Sequence, residues 1–302
     1  MICIVSHDAG GAEILASYAK HVNGPWLFSL AGPAIKVFAS KLGSVGSLML
    51  EEAIERADEV LCGTSWQSDL EWQAIALSRK MGKRSIAFLD HWVNYQERFF
   101  RAGVQHLPDE IWVGDVHAEA LASAEFPSIP IRLVPNPHFE DIRAQVANLK
   151  KASNDSMHSN QQKCKALFVC ENISEHAQMQ HGDPRYWGYT EFDAIEYFFE
   201  NITALQTEIP SVTIRPHPSD PAGKYDHVIA QYPQLARLSS GQPLLADIAA
   251  ADVVVGCESM ALVIAVQCGR RVVSCIPLQK VTLKLPFSEI EIFSTLVRSR
   301  GE

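Results

Sequence analysis

Val212-Thr213-Ile214-Arg215-Pro216-His217-Pro218 is an apolar strand that runs straight into an arginine, a histidine and two prolines. Downstream, Val253-Val254-Val255 forms a second strand that ends in Gly256-Cys257-Glu258-Ser259 and opens a helix. In open α/β sheets, ligands sit beyond the carboxyl ends of the strands. Two strand ends thus deliver Arg215, His217, Glu258 and Ser259 to one edge of one sheet. A nucleotide-like anion is expected there, in the C-terminal half of the chain.

The same rhythm extends both ways from this pair. In the first half, short β-branched runs at 2–6, 26–30, 59–62, 85–89, 110–113 and 131–134 alternate with helical spacing at 12–21, 33–42, 68–81 and 117–124. The strand runs are continuously apolar, as in a parallel sheet covered on both faces. Residues 150–163 are polar and read as a linker or exposed loop. The alternation then restarts, with strands at 166–170, 212–215, 252–255 and 271–275. The expected fold is α/β, two Rossmann-like doubly wound domains facing a cleft. Residues 1–150 form the first domain and 151–286 the second, and a closing helix over 287–302 is expected to pack back onto the first.

Bulk composition narrows the function. The 302 residues carry a formal net charge of −9, which argues against general attraction to nucleic acid or an anionic membrane surface. Apolar residues make up 47 % and charged residues 20 %, so a sizeable core is affordable. The chain opens directly on a strand, and no apolar run approaches the roughly 18 residues that span a bilayer. The seven cysteines lie scattered without a Cys-x-x-Cys pair, which fits reduced thiols in a cytoplasmic protein rather than a disulfide or zinc framework.

Four segments concentrate chemistry. Ser6-His7-Asp8-Ala9-Gly10-Gly11-Ala12 joins the first strand to a helix, and its paired glycines allow close backbone approach of an anion to free N–H groups. The full Gly-x-Gly-x-x-Gly fingerprint is absent, so NAD or FAD is not expected. Asp8 either caps the helix or, with His7, takes a proton from a hydroxyl or water. In Arg215-Pro-His-Pro218 the prolines stiffen the loop that aims Arg215 and His217, a bidentate fork and a hydrogen-bond donor for phosphate. Ser259 stands at a helix N-cap with Met260 behind it, and Glu258 suits ribose hydroxyls. Asp90-His91-Trp92-Val93-Asn94 with Arg98, and Glu171 through Ser174 to Tyr189, mix aromatic and polar groups. They serve either sugar rings and a sugar carboxylate or packing. His176, His181 and Asp183 match no standard metal spacing, and no Asp-x-Asp element occurs.

Paired Rossmann-like domains, the glycine-rich first loop and the Glu258-Ser259-Met260-Ala261-Leu262 unit followed by Gly269-Arg270 resemble GT-B fold glycosyltransferases and their epimerase and hydrolase relatives. Arg215-Pro-His-Pro218 is similar to the His-Pro motif of bacterial sialyltransferase-type enzymes, which use CMP-activated keto-sugar acids. The resemblance implies that His217 contacts the nucleotide phosphate, that Ser259 binds the nucleotide, and that Asp8 is the base. The expectation is therefore a metal-independent transferase without cofactor. Its donor is a CMP-linked nonulosonate bound by Gly10, Gly11, Arg215, His217, Pro218, Glu258, Ser259 and Met260, with catalysis by Asp8, His7 and His217. The acceptor is a glycan, a lipid-linked sugar or a protein, and only peripheral membrane association is allowed for. Two alternatives stay open: a nucleotide-sugar hydrolase or 2-epimerase, and a non-catalytic nucleotide-sugar binding protein.

Overall fold

A computed structural model describes residues 1–65, 68–154, 164–278 and 282–299, with side chains left aside at 150–154. The chain divides into two compact units, Met1–Asp141 and Ile142–Glu302.

In the first unit, β1 (Ile2–Ser6), β2 (Trp26–Leu30), β3 (Glu59–Cys62) and β4 (Arg84–Leu89) precede a two-residue hairpin of β5 (Phe100–Arg101) and β6 (Val104–Gln105). β7 (Glu110–Val113) and β8 (Ile131–Leu133) complete it. Six of these strands form one parallel sheet in the order β2-β1-β3-β4-β7-β8. Helices α1 (Ala9–His21), α2 (Pro33–Leu42), α3 (Leu50–Arg56), α4 (Leu70–Lys80), α5 (Tyr95–Arg98) and α6 (Val116–Glu125) join them, and α7 (Pro137–Asn154) leads out. The strand interiors are buried on consecutive residues, because helices cover both faces.

The second unit carries β9 (Lys165–Val169), β10 (Ser211–Arg215), β11 (Ala236–Leu238), β12 (Val253–Gly256), β13 (Arg271–Ser274) and β14 (Ile290–Ile292). They make a second parallel sheet in the order β11-β10-β9-β12-β13-β14. Its helices are α8 (Ile173–His181), α9 (Glu191–Glu200), α10 (Asp226–Gln231), α11 (Leu244–Ala250), α12 (Met260–Gln267) and α13 (Phe293–Arg298). Two Rossmann-like doubly wound domains are therefore present.

Several expectations change. The division falls inside α7, and helix continues to Asn154, so only 155–163 of the expected linker lies outside the described residues. The closing segment does not return to the first domain. Ile290–Ile292 pairs with β13, and Phe293 is fully buried in the second core, against Tyr197 at 5.5 Å and Phe198 at 5.6 Å. An apolar strand end finding an open sheet edge decides this placement. The polar and aromatic stretch after β9 is partly helical, since α8 occupies Ile173–His181.

Candidate functional site

The order of the second sheet places β9 between β10 and β12, so the two strands that opened the sequence reading are not neighbours. The chain reverses direction across the sheet at the β9/β12 pair, the switch point where doubly wound sheets open a crevice. A cavity of about 470 Å³ lies there, within the range of small-molecule sites. It is lined by Glu171, Asn172, Ile173 and His176 after β9, by His217 after β10, and by Glu258 and Ser259 after β12. Trp187, Tyr189, Ile276, Leu278, Thr282 and Lys284 complete the wall.

His217 is held by a chain of polar contacts. Asn172 donates to Ser219 Oγ at 3.0 Å, and Ser219 Oγ lies 2.7 Å from His217 Nδ1. The Ser219 N–H also donates to Nδ1, at 3.3 Å. The N–H makes Nδ1 the acceptor and the hydroxyl can then donate to it, so a neutral ring carries its proton on Nε2. The His217 N–H donates to Asp220 at 2.7 Å, and Tyr225 donates to the same oxygen at 3.2 Å. Lys224 then bridges Asp220 and Glu191, each at 2.6 Å. Glu191 accepts from the Ser174 N–H and hydroxyl, fixing the start of α8. Pro216 and Pro218 thus stiffen a loop that buried charges also pin.

On the opposite side of β9, Glu171 accepts the N–H groups of Cys257 at 2.7 Å and Glu258 at 2.9 Å. Gly256 packs closely at this strand end, where a Cβ would lie 3.2 Å from the Val169 carbonyl. Burial pushes the Glu171 carboxyl up to about 7, opposed by the backbone donors of Cys257, Glu258 and Ser259. Glu258 accepts from the Lys284 N–H at 2.7 Å, and Ser259 caps α12 by accepting from Ala261 at 3.1 Å.

Of the residues expected to bind a donor, the structure brings together His217, Glu258 and Ser259, joined by Glu171 and Tyr189. Arg215 is not with them. Strand alternation turns Val212 and Ile214 into the core and leaves Arg215 on the other face. There it donates to buried Asp247 at 2.5 Å and to the Gln242 carbonyl at 2.7 Å. Pro218 and Met260 do not line the cavity, and Ser174 is spent on Glu191. Ser219, Asp220, Lys224, Lys284 and Trp187 were not singled out from the sequence. Lys224 and Asp220 carried an i, i+4 signal on the loop beyond Pro218 that spacing alone could have raised.

The remaining candidates belong to the first domain. Gly10 and Gly11 fall in the first turn of α1, not in a loop. A Cβ at Gly10 would stand 2.4 Å from Asp90 Oδ2, and one at Gly11 3.4 Å from Gly63 Cα. The glycines therefore admit neighbouring chain, not a donor. Asp8 occupies the N-cap position without a side-chain cap bond and lies 2.7 Å from His7 Nδ1. The two form a carboxylate–imidazole pair. Arg98 is buried, donating to Asp90 at 2.6 Å and to the Thr64 hydroxyl at 2.7 Å, so it holds the loops rather than a sugar carboxylate. His91 accepts from the Trp92 N–H, and burial lowers its pKa from the ordinary value. Asn94 is an exposed turn residue in the left-handed region at φ +59°. Phe88, Trp92, Tyr95 and Phe99 are buried in this domain itself.

Among the described residues no group of three or more His, Cys, Asp or Glu could hold a metal ion, and no helix is long and apolar enough to cross a membrane.

No protein-family model and no curated protein matches the sequence. Solved structures do. The chain is similar to the UDP-GlcNAc 2-epimerase from Methanocaldococcus jannaschii, with a TM-score of 0.63 at 10 % identity over 100 % of this chain and 92 % of that one. It is similar to the wall teichoic acid polymerase TagF with CDPG, at 0.52 and 10 % over 100 % and 79 %. A third likeness is to the glycotransferase of kitacinnamycin, at 0.53 and 13 % over 90 % and 79 %. At such identities the shared property is the fold, two Rossmann-like domains of GT-B type.

Proposed function

We propose that the chain is a metal-independent glycosyltransferase that binds a nucleotide-activated sugar in the second-domain cavity, with a CMP-linked nonulosonate as the donor it fits. The observation that carries this reading is the fixed imidazole of His217. Its Nδ1 is committed to Ser219, so Nε2 is left to donate to a phosphate oxygen from the cavity wall. Glu258 and Ser259 stand where ribose or phosphate oxygens need an acceptor and a hydroxyl, while Trp187 and Tyr189 offer aromatic faces to a base or sugar ring. The fold shared with a polymerase and a glycotransferase supports the same class.

In the reaction, an acceptor hydroxyl oxygen bonds to the anomeric carbon as the bond to the phosphate oxygen breaks. CMP leaves with that electron pair, and His217 donates a hydrogen bond to the developing charge. The proton of the acceptor needs a base. The first domain's His7–Asp8 pair has the required form, a carboxylate on Nδ1 that orients the ring and leaves Nε2 to accept. A glycan, a lipid-linked sugar or a protein hydroxyl satisfies this chemistry as acceptor.

His217→Ala is expected to weaken CMP binding more than about tenfold, since a charge-assisted contact is worth about 1.5–3 kcal/mol. Calorimetry measures this, and the variant should unfold at the wild-type temperature. Unchanged affinity removes the cavity from the role. A second reading, a nucleotide-sugar 2-epimerase or hydrolase, is favoured by the 0.63 likeness over nearly the whole of both chains. Free nucleotide released without any acceptor would select it.

A further inference from the structure

At the β9/β12 switch point, the position that a phosphate takes in many doubly wound folds is filled by the chain itself. A helix start offers unpaired N–H groups to an anion. Ahead of α12, the N–H groups of Cys257 and Glu258 are already spent on Glu171, whose two oxygens lie 2.9 and 3.1 Å from the Glu258 nitrogen. Glu171 also lines the cavity, and a second carboxylate, Glu258, stands beside it.

We infer that Glu171 is a specificity-determining residue that restricts the cavity to ligands with a single phosphate group and turns away nucleoside diphosphates. The inference rests on the cavity being a nucleotide site. Among the described residues, the imidazole and ammonium side chains on its wall are His217, His176 and Lys284. One phosphate beside His217 is served by these groups. A second phosphate would need the N–H groups ahead of α12, and it would find them taken by Glu171, with the Glu258 carboxylate beside it. Like charges within a few ångströms, away from bulk water, repel strongly. Glu171 cannot simply swing aside, because leaving would orphan the N–H groups it satisfies and still require a partner for its own charge.

The test compares CMP with CDP, and UMP with UDP, by calorimetry on the full chain. For whichever base binds, the wild type is expected to prefer the monophosphate by about tenfold or more, the cost of one unmade charged contact. Glu171→Ala should cut that preference to threefold or less, about a third of the wild-type ratio, by strengthening diphosphate binding. Glu171→Gln, which keeps the shape and loses the charge, should fall between the two. If the wild type binds diphosphate as tightly as monophosphate, the inference is overturned while the nucleotide site stands, and no variant is needed to learn it. If neither nucleotide of either pair binds, the nucleotide reading itself falls and takes the inference with it. A preference that survives in both variants, each checked for a wild-type far-ultraviolet spectrum, also overturns it.

Discussion

The two domains have the same number of parallel strands and the same buried interior, yet their strand tips do opposite things. The first domain crosses over at β1/β3, and its tips are closed by contacts: Gly11 against Gly63, Asp90 against Gly10, Arg98 against both Asp90 and Thr64. At the neighbouring β4/β7 tips, beside Asp90 and Trp92, lies a space of about 10 Å³, no more than a water molecule needs. The second domain crosses over at β9/β12 and keeps a cavity of about 470 Å³. A switch point therefore gathers polar groups without dictating how they are satisfied. What decides is whether the polar groups delivered there are satisfied by each other across the opening, as Arg98 and Asp90 are, or behind the wall, as His217 is by Ser219.

One prediction strains this contrast hardest. Asp90→Ala leaves the buried Arg98 guanidinium without its carboxylate and should cost the first domain about 3–5 kcal/mol. Hydrogen exchange would show protection lost in β1, β3 and β4, while β9, β10 and β12 keep theirs. Equal loss in both sheets would mean that the two units do not unfold separately.

A feature the domains share gives the next largest effect. Each has a glutamate beside its switch point: Glu71 accepts the His7 N–H at 2.7 Å, and Glu171 accepts those of Cys257 and Glu258. Burial raises both from 4.5 to about 7, and in the first domain Glu71 Oε2 has no hydrogen-bond partner among the described residues. A carboxyl with a raised folded pKa holds its proton longer in the folded state. Its contribution is therefore complete below about pH 4.5 and is lost as the pH rises to about 7. The loss is on the order of 3 kcal/mol for each group. Glu71→Gln and Glu171→Gln should each flatten part of that decline in chemical unfolding between pH 4.5 and 7. A slope unchanged in both would show that neither carboxyl is the titrating group.

The smallest effect belongs to one helix end. Thr190 and Asp193 cap α9 reciprocally, with the Thr190 N–H donating to Asp193 at 2.7 Å and the Asp193 N–H to the Thr190 hydroxyl at 3.3 Å. Thr190→Ala should cost about 1 kcal/mol in the second domain. Because Glu191 follows directly and holds Ser174 and Lys224, the same change should raise exchange at the start of α8.

Much of this was written in local sequence. Continuous apolar runs identified ten of the strands, since burial on both faces leaves no alternation to misread, and the Ser259 cap followed from residue type and position. What failed shows where local reading stops. Arg215 ends β10 and His217 follows two residues later, yet one faces Asp247 and the other the cavity, because the partner that captures Arg215 comes from a helix about thirty residues on. The glycines after β1 were legible as a close approach, but sequence did not say that Asp90 would be what approached. β14 was missed because three residues, Ile290–Ile292, carry too short a pattern to stand out from a helix start.

The strand order of the second domain also has a consequence for how the chain acquires its structure. β9 is the central strand, and the Glu171 carboxylate beyond it bonds a nitrogen 86 positions later in the chain. A ribosome that has released only β9, β10 and β11 has made three strands whose exposed flank waits for β12. Pairing over so long a separation is slow, and until it occurs an apolar edge is open to other chains. During synthesis, chaperones would find that unfinished flank the most persistent target on the molecule.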